Sequence, residues 1–218
     1  MFLALIETQG NQRYIFGTNR QGANIGASQL LHEACTKWIL NACNFNGEFA
    51  TLEQRKHFFV KQDSVSRWLQ NGIYVVVATS GRAVLLSKLR SNLESIISTV
   101  TLRALRESPG MSVASAIVSF NYQIPGNMPT ALKEASSRLS DNIRATTPIE
   151  ARFLRLPPIA DCVDSTYPAQ RRKRMGNPPE WKLQSEVVIA QVKARDRAKK
   201  RISESAGSSE SSQTAATL

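Results

Sequence analysis

Apolar and polar positions follow distinct rhythms along this chain, and each change of rhythm marks an element. Phe2-Leu-Ala-Leu-Ile6 is apolar without a break and too short for a helix, which predicts a central strand covered on both faces. The run breaks at Thr8-Gln-Gly-Asn11, and Arg13 to Phe16 is a short mixed segment. From Gly22 onward Ile25, Leu30, Leu31, Ala34, Cys35, Trp38, Ile39 and Ala42 recur at three- and four-residue steps, the spacing of an amphipathic helix. Asn44 to Gly47 ends it. Residues 48–70 read two ways, as a strand around Phe58-Phe-Val60 or a helix opening at Asp63-Ser-Val-Ser66.

Ile73 to Ala78 is rich in Val and predicts a strand. Thr79-Ser-Gly-Arg82 is a tight turn and Ala83 to Ser87 the return strand, together a β-hairpin. Leu89 to Arg106 carries a helical stripe of Leu93, Ile96, Ile97 and Val100, stopped by Pro109-Gly110. Met111 to Tyr122 alternates as a long strand whose more apolar side, Ala114, Ala116, Val118 and Phe120, faces a core. Thr130 to Arg144 reads as an amphipathic helix, Phe153 to Leu156 as a short strand, and 161–179 as loop. Trp181 to Ile202 is a last helix, densely basic after Lys193, and the Ser/Ala/Thr-rich 203–218 a disordered tail.

A hairpin set between two αβ segments predicts an α+β fold: a palm or ferredoxin-like mixed sheet with helices mainly on one face, plus a basic C-terminal helix. Residues 1–158 form the palm-like nucleotide-binding domain in this reading, and 159–202 a basic loop and helix extension. No stretch approaches the roughly 18 apolar residues of a membrane span. The apolar start lacks a basic leader and meets Glu7 at once, so it does not read as a signal peptide.

Charge sharpens the picture. The chain has 218 residues with 28 Lys+Arg against 17 Asp+Glu, net +11. Residues 151–201 hold 13 of the cations and 5 of the anions, so +8 lies in under a quarter of the chain. Such an excess favours anionic partners, nucleotides or nucleic acid above all. Cys35, Cys43 and Cys162 are an odd, scattered set, which suits a reducing, cytoplasmic setting. Neither His32 nor His57 has zinc-ligand spacing. No Ser/His/Asp or Cys/His arrangement supports a hydrolase.

Leu5-Ile-Glu-Thr-Gln-Gly-Asn-Gln-Arg-Tyr-Ile-Phe16 resembles the first palm strand and loop, D-x-x-G-I-Q-x-F-I-F, of the large polymerase-cyclase subunit of type III CRISPR complexes, with Gly10, Gln12, Ile15 and Phe16 matching. Asn24-Ile-Gly-Ala-Ser28 is similar to its R-G-A-S segment. Phe153-Leu-Arg-Leu-Pro157, Asp161-Cys162 and Pro168-Ala169 look like the region after the second palm domain of that subunit in stand-alone proteins. The resemblance covers most of residues 1–200. It implies a nucleotide-cyclase-like palm that serves antiviral defence, in which carboxylates at the end of the first strand and in the hairpin turn, as G-G-D-D or G-G-D-E, hold two metals such as Mg²⁺ for in-line attack. Here the first-strand acid is Glu7, and the hairpin's acidic positions are Gly81 and Arg82. The resemblance therefore implies a degenerate metal site, with Glu7 its remaining ligand. Losing carboxylates strikes at a hard cation directly.

Gly10, Asn11 and Gln12 form a loop for the phosphate or sugar of ATP or GTP, or a plain glycine turn. Ser80, Gly81 and Arg82 hold a phosphate through backbone N–H groups and the guanidinium, or form a turn with a surface arginine. Gly26-Ala-Ser28 admits an anion or allows close packing. Arg171, Arg172, Lys173 and Arg174 contact RNA or other nucleic acid phosphates, or are a solvated basic face. Three readings remain: a nucleotide or nucleic-acid binder with a degenerate site, an active cyclic or oligo-nucleotide synthase borrowing Asp63 or Glu48, and a non-catalytic module for RNA or a protein partner.

Overall fold

The structure, a computed structural model, describes residues 1–43, 72–153, 158–175 and 178–214. Strand β1 (Phe2–Gln9) leads through Gly10 into a short helix α1 (Asn11–Phe16), then α2 (Gln21–Glu33). Helix α2 continues through a π-turn, Ala34–Trp38, into a last turn, Ile39–Ala42. Next come β2 (Ile73–Thr79), β3 (Arg82–Ser87), α3 (Arg90–Glu107), β4 (Ser112–Ser119) and α4 (Asn127–Ala145). A 3₁₀ turn at Ile149–Arg152 precedes the hairpin β5 (Arg171–Met175) and β6 (Glu180–Gln184), and α5 (Glu186–Thr214) closes the chain.

The main sheet has the order β2-β3-β1-β4. This is the α+β, ferredoxin-like arrangement of two interleaved β-α-β units, compatible with a palm. A mixed sheet was expected, but every neighbouring pair is antiparallel, because each crossover helix returns the chain two strand positions away and leaves an antiparallel strand between.

Strand β1 is central, which explains its unbroken apolar run. Ala4 and Ile6 enter a core with Leu30 and Trp38 of the α2 segment and Leu93, Ile96 and Val100 of α3. Leu3 and Leu5 face the other way, meeting Val84, Ala116, Ala131, Ala135 and Leu139 under α4. So α2 and α3 cover one face and α4 the other. Ala116 and Val118 point inward as their alternation requires. The open edge of β4 is not left bare: Asn142 Nδ2 donates to the Ser115 carbonyl at 2.9 Å, which blunts edge pairing.

Helix α5 docks on α2. Gly26 permits this, since a Cβ there would fall 1.7 Å from the Gln191 carbonyl oxygen. The small Gly26-Ala-Ser28 segment thus serves helix–helix packing. Glu33 receives both Nε and Nη2 of Arg197 at 2.9 Å, and Gln191 Nε2 donates to the Tyr14 carbonyl at 2.9 Å. Val187 joins the main core.

Four further expectations change. Arg13–Phe16 lies in a helical turn. The stretch expected as loop holds a hairpin, and Trp181 sits in its second strand rather than opening the helix. The helix starts later because Ser185 caps it, its Oγ accepting from the Val188 N–H at 3.3 Å. The expected tail is helical as far as Thr214, since extending a formed helix costs far less than starting one. The expected strand at 153–156 and the alternatives at 48–70 fall largely or wholly outside the described residues.

Candidate functional site

The C-terminal end of β1 and the β2–β3 turn meet at one rim of the sheet. The register pairs Glu7 with Arg82 and Thr79 with Arg82, and the Thr8 N–H donates to the Gly81 carbonyl at 3.0 Å. Gly81 turns the chain at φ 86°, a left-handed value that favours glycine. The adjacency that the sequence resemblance requires is therefore present.

What occupies it is an ion pair. Residues directly opposite on antiparallel strands share a face, so Glu7 and Arg82 meet, with Arg82 Nη2 2.6 Å from Glu7 Oε1. The second carboxylate oxygen accepts from Gln9 Nε2 at 3.3 Å. Glu7 is mostly buried while Arg82 reaches into solvent. Both oxygens of the Glu7 carboxylate are engaged, and its charge is neutralised.

This donor set does not fit a divalent cation. Mg²⁺ needs near-octahedral oxygen ligation and one or two free carboxylates, whereas a guanidinium holds Glu7, the only acid at the rim among the described residues. Among the described residues no three His, Cys, Asp or Glu side chains come together as metal ligands. Asp63 and Glu48, the acids proposed to complete a catalytic set, lie outside the described residues.

The loop residues divide. Gly10 takes φ 64° as β1 turns into α1, with open space where a Cβ would stand. Asn11 tucks its amide against Gly81, 3.5 Å from where that glycine's Cβ would be. Gln12 and Ser80 are exposed at the rim. The structure thus gathers Glu7, Gly10, Asn11, Ser80, Gly81 and Arg82, with Gln12 one helical position beyond. The oxygens Thr8 Oγ1 and Asn11 Oδ1 are buried there without a hydrogen-bond partner, a feature that sequence alone gave no sign of.

Gln9 and Gly10 also border a cleft of about 200 Å³, closed by Arg13, Ser112, Thr146 and Tyr167. Sites that enclose a small-molecule ligand span roughly 300–1,000 Å³, so this cleft is too small to enclose a nucleoside triphosphate.

Arg171, Arg172, Lys173 and Arg174 are not at the rim. They form strand β5 of a separate two-stranded sheet. Arg171 pairs with Glu186, while among the described residues Arg172, Lys173 and Arg174 stand in no ion pair. Trp181, absent from the sequence-based candidates, lies directly opposite Arg174 and is 66% exposed. The alternation Trp181-Lys-Leu-Gln184 after Pro178-Pro179 was the signal that could have found it. Among the described residues no helix is long and apolar enough to cross a membrane. No protein-family model and no curated protein matches this sequence.

Proposed function

We propose that this protein is a palm-type member of the CRISPR polymerase-cyclase class, acting in prokaryotic antiviral defence as a nucleic-acid-binding module that has given up nucleotide turnover. The observation that carries this reading is the Glu7–Arg82 ion pair, which stands where two-metal chemistry requires free carboxylates. Arginine there repels a metal and satisfies the acid that would bind it. The small rim cleft offers no enclosure for a triphosphate. The concentrated positive charge of residues 151–201 supplies the attraction that non-specific polynucleotide binding needs.

The test has two arms. Purified protein with ATP or GTP and Mg²⁺ yields no cyclic or linear oligonucleotide product, and a labelled 20-nucleotide RNA binds with an affinity that falls as salt rises. A nucleotide product that disappears in Glu7→Gln would establish the synthase reading instead. No RNA or DNA binding even at low salt would remove the binding reading.

A further inference from the structure

On the second sheet, exposed aromatic and unpaired cationic groups coincide. In the β5–β6 ribbon, Arg172 lies opposite Leu183 and Arg174 opposite Trp181. Facing residues of an antiparallel pair project to the same side. Arg172, Arg174, Trp181 and Leu183 therefore share one face of the ribbon, with both arginines and the indole exposed. Trp181 and Leu183 border a shallow, open depression of about 700 Å³ together with Val163, Arg172, Lys182 and Asp164, whose carboxylate is engaged by Arg20 and Gln184.

This face is held firmly from behind. Gln184, wholly buried, donates from Nε2 to Asp164 Oδ2 at 2.8 Å, and Asp164 also pairs with Arg20 at 3.3 Å. The Val163 N–H donates to the Leu183 carbonyl at 3.1 Å. Arg171, on the opposite side of the ribbon, is tied to Glu186. The ribbon is thus a fixed platform whose outer face has free charge and a free ring.

We infer that the Arg172/Arg174/Trp181 face of the β5–β6 ribbon is a docking platform for single-stranded nucleic acid, with a base stacked on Trp181 and backbone phosphates held by the two arginines. An indole among unpaired guanidinium groups matches the two parts of an unpaired strand, an anionic backbone and exposed base faces. A duplex offers the charge but keeps its bases stacked inside. A second copy of this chain is disfavoured, because two such faces carry like charge. The inference rests on the nucleic-acid-binding reading above and deepens it by naming the strand type and the contact residues.

The experiment measures fluorescence anisotropy of labelled 15-nucleotide oligo(U) and oligo(dT), and of a blunt duplex of equal length, across a salt series with the full chain. Single strands of both kinds bind more tightly than the duplex. Trp181→Ala weakens them about tenfold, the equivalent of ~1.4 kcal/mol and within the span found for one stacked base, while Trp181→Phe restores most of the loss. Replacing Arg172 and Arg174 together by Gln lowers the salt slope by about 1.4, since each single-strand phosphate contact contributes roughly 0.7. Thermal unfolding of each variant matches the parent, as these side chains are exposed. Unchanged single-strand affinity in Trp181→Ala, equal binding of duplex, or stronger binding to anionic phospholipid vesicles overturns the platform while leaving nucleic-acid binding elsewhere intact. No polynucleotide binding by the parent chain overturns the underlying reading as well.

Discussion

Replacing Gly26 by Ala tests how α5 is joined to the fold. The new methyl would sit 1.7 Å from the Gln191 carbonyl oxygen and 2.7 Å from its carbon, against an ordinary contact of 3.4 Å. Both neighbours are backbone, so no rotamer change relieves the overlap, and the helices must part by about 1.7 Å. That separation loosens the contact of Ala23 with Val188, both wholly buried, and stretches the Gln191–Tyr14 and Glu33–Arg197 links. Overpacking of this kind costs about 1–3 kcal/mol or more, and the better helix propensity of Ala returns about 1 kcal/mol at most. A net loss of about 2 kcal/mol lowers the melting temperature of a chain this size by roughly 4–8 °C. Gly22→Ala is the internal control. It lies on the same helix, but its methyl would meet the flexible Arg195 side chain at 3.2 Å, so the change is neutral or slightly stabilising. Circular dichroism melts of the two variants decide the matter. A Gly26→Ala protein as stable as Gly22→Ala would refute the close α2–α5 packing.

Two further outcomes follow from buried groups. Burial pushes the Glu33 carboxyl up, but hydrogen bonds from Arg197 and Gln29 outweigh it and hold the group below its ordinary 4.5. Its stabilising effect is therefore complete above pH 4.5 and fades as pH falls through the lower folded value. Arg197→Ala costs about 2 kcal/mol at pH 7, less than the ~3–5 of a wholly buried pair because the guanidinium is half exposed, and this cost shrinks in urea titrations as pH falls below 4.5; a pH-independent cost would contradict the pairing. The thiols of Cys35 and Cys43 are buried and pushed up by that burial to about 12. In the native protein at pH 8 a thiol reagent titrates Cys162 at most, and all three only after denaturation; two or more fast thiols would show that the α2 segment is not packed as described.

The parts of the fold that were legible in sequence are those whose signal is local. The β1 run and the alternation of β4 each state their burial in a few adjacent residues, and Ser80-Gly81 marks its own turn. The ribbon at Arg171–Gln184 was missed because its first strand is Arg-Arg-Lys-Arg. A ribbon that covers no core has no hydrophobic alternation to show, and only the residues after Pro178-Pro179 keep the period of two. The role of Gly26 was hidden for a different reason: its partner, Gln191, is distant in sequence, and nothing local distinguishes a glycine that admits a helix from one that admits an anion. At the rim, the residue types Glu7 and Arg82 were visible from the start. That they bond to each other depends on the register of β1 against β3, which places them face to face.

The central claim is that the Glu7–Arg82 pair has closed the metal site. Water-proton relaxation during a Mn²⁺ titration with ATP present reads this directly, with Glu7→Gln alongside. The account predicts that the parent protein and the variant give the same curve, that of Mn²⁺–ATP free in solution. One Mn²⁺ bound per chain in the parent, and lost in Glu7→Gln, would contradict it.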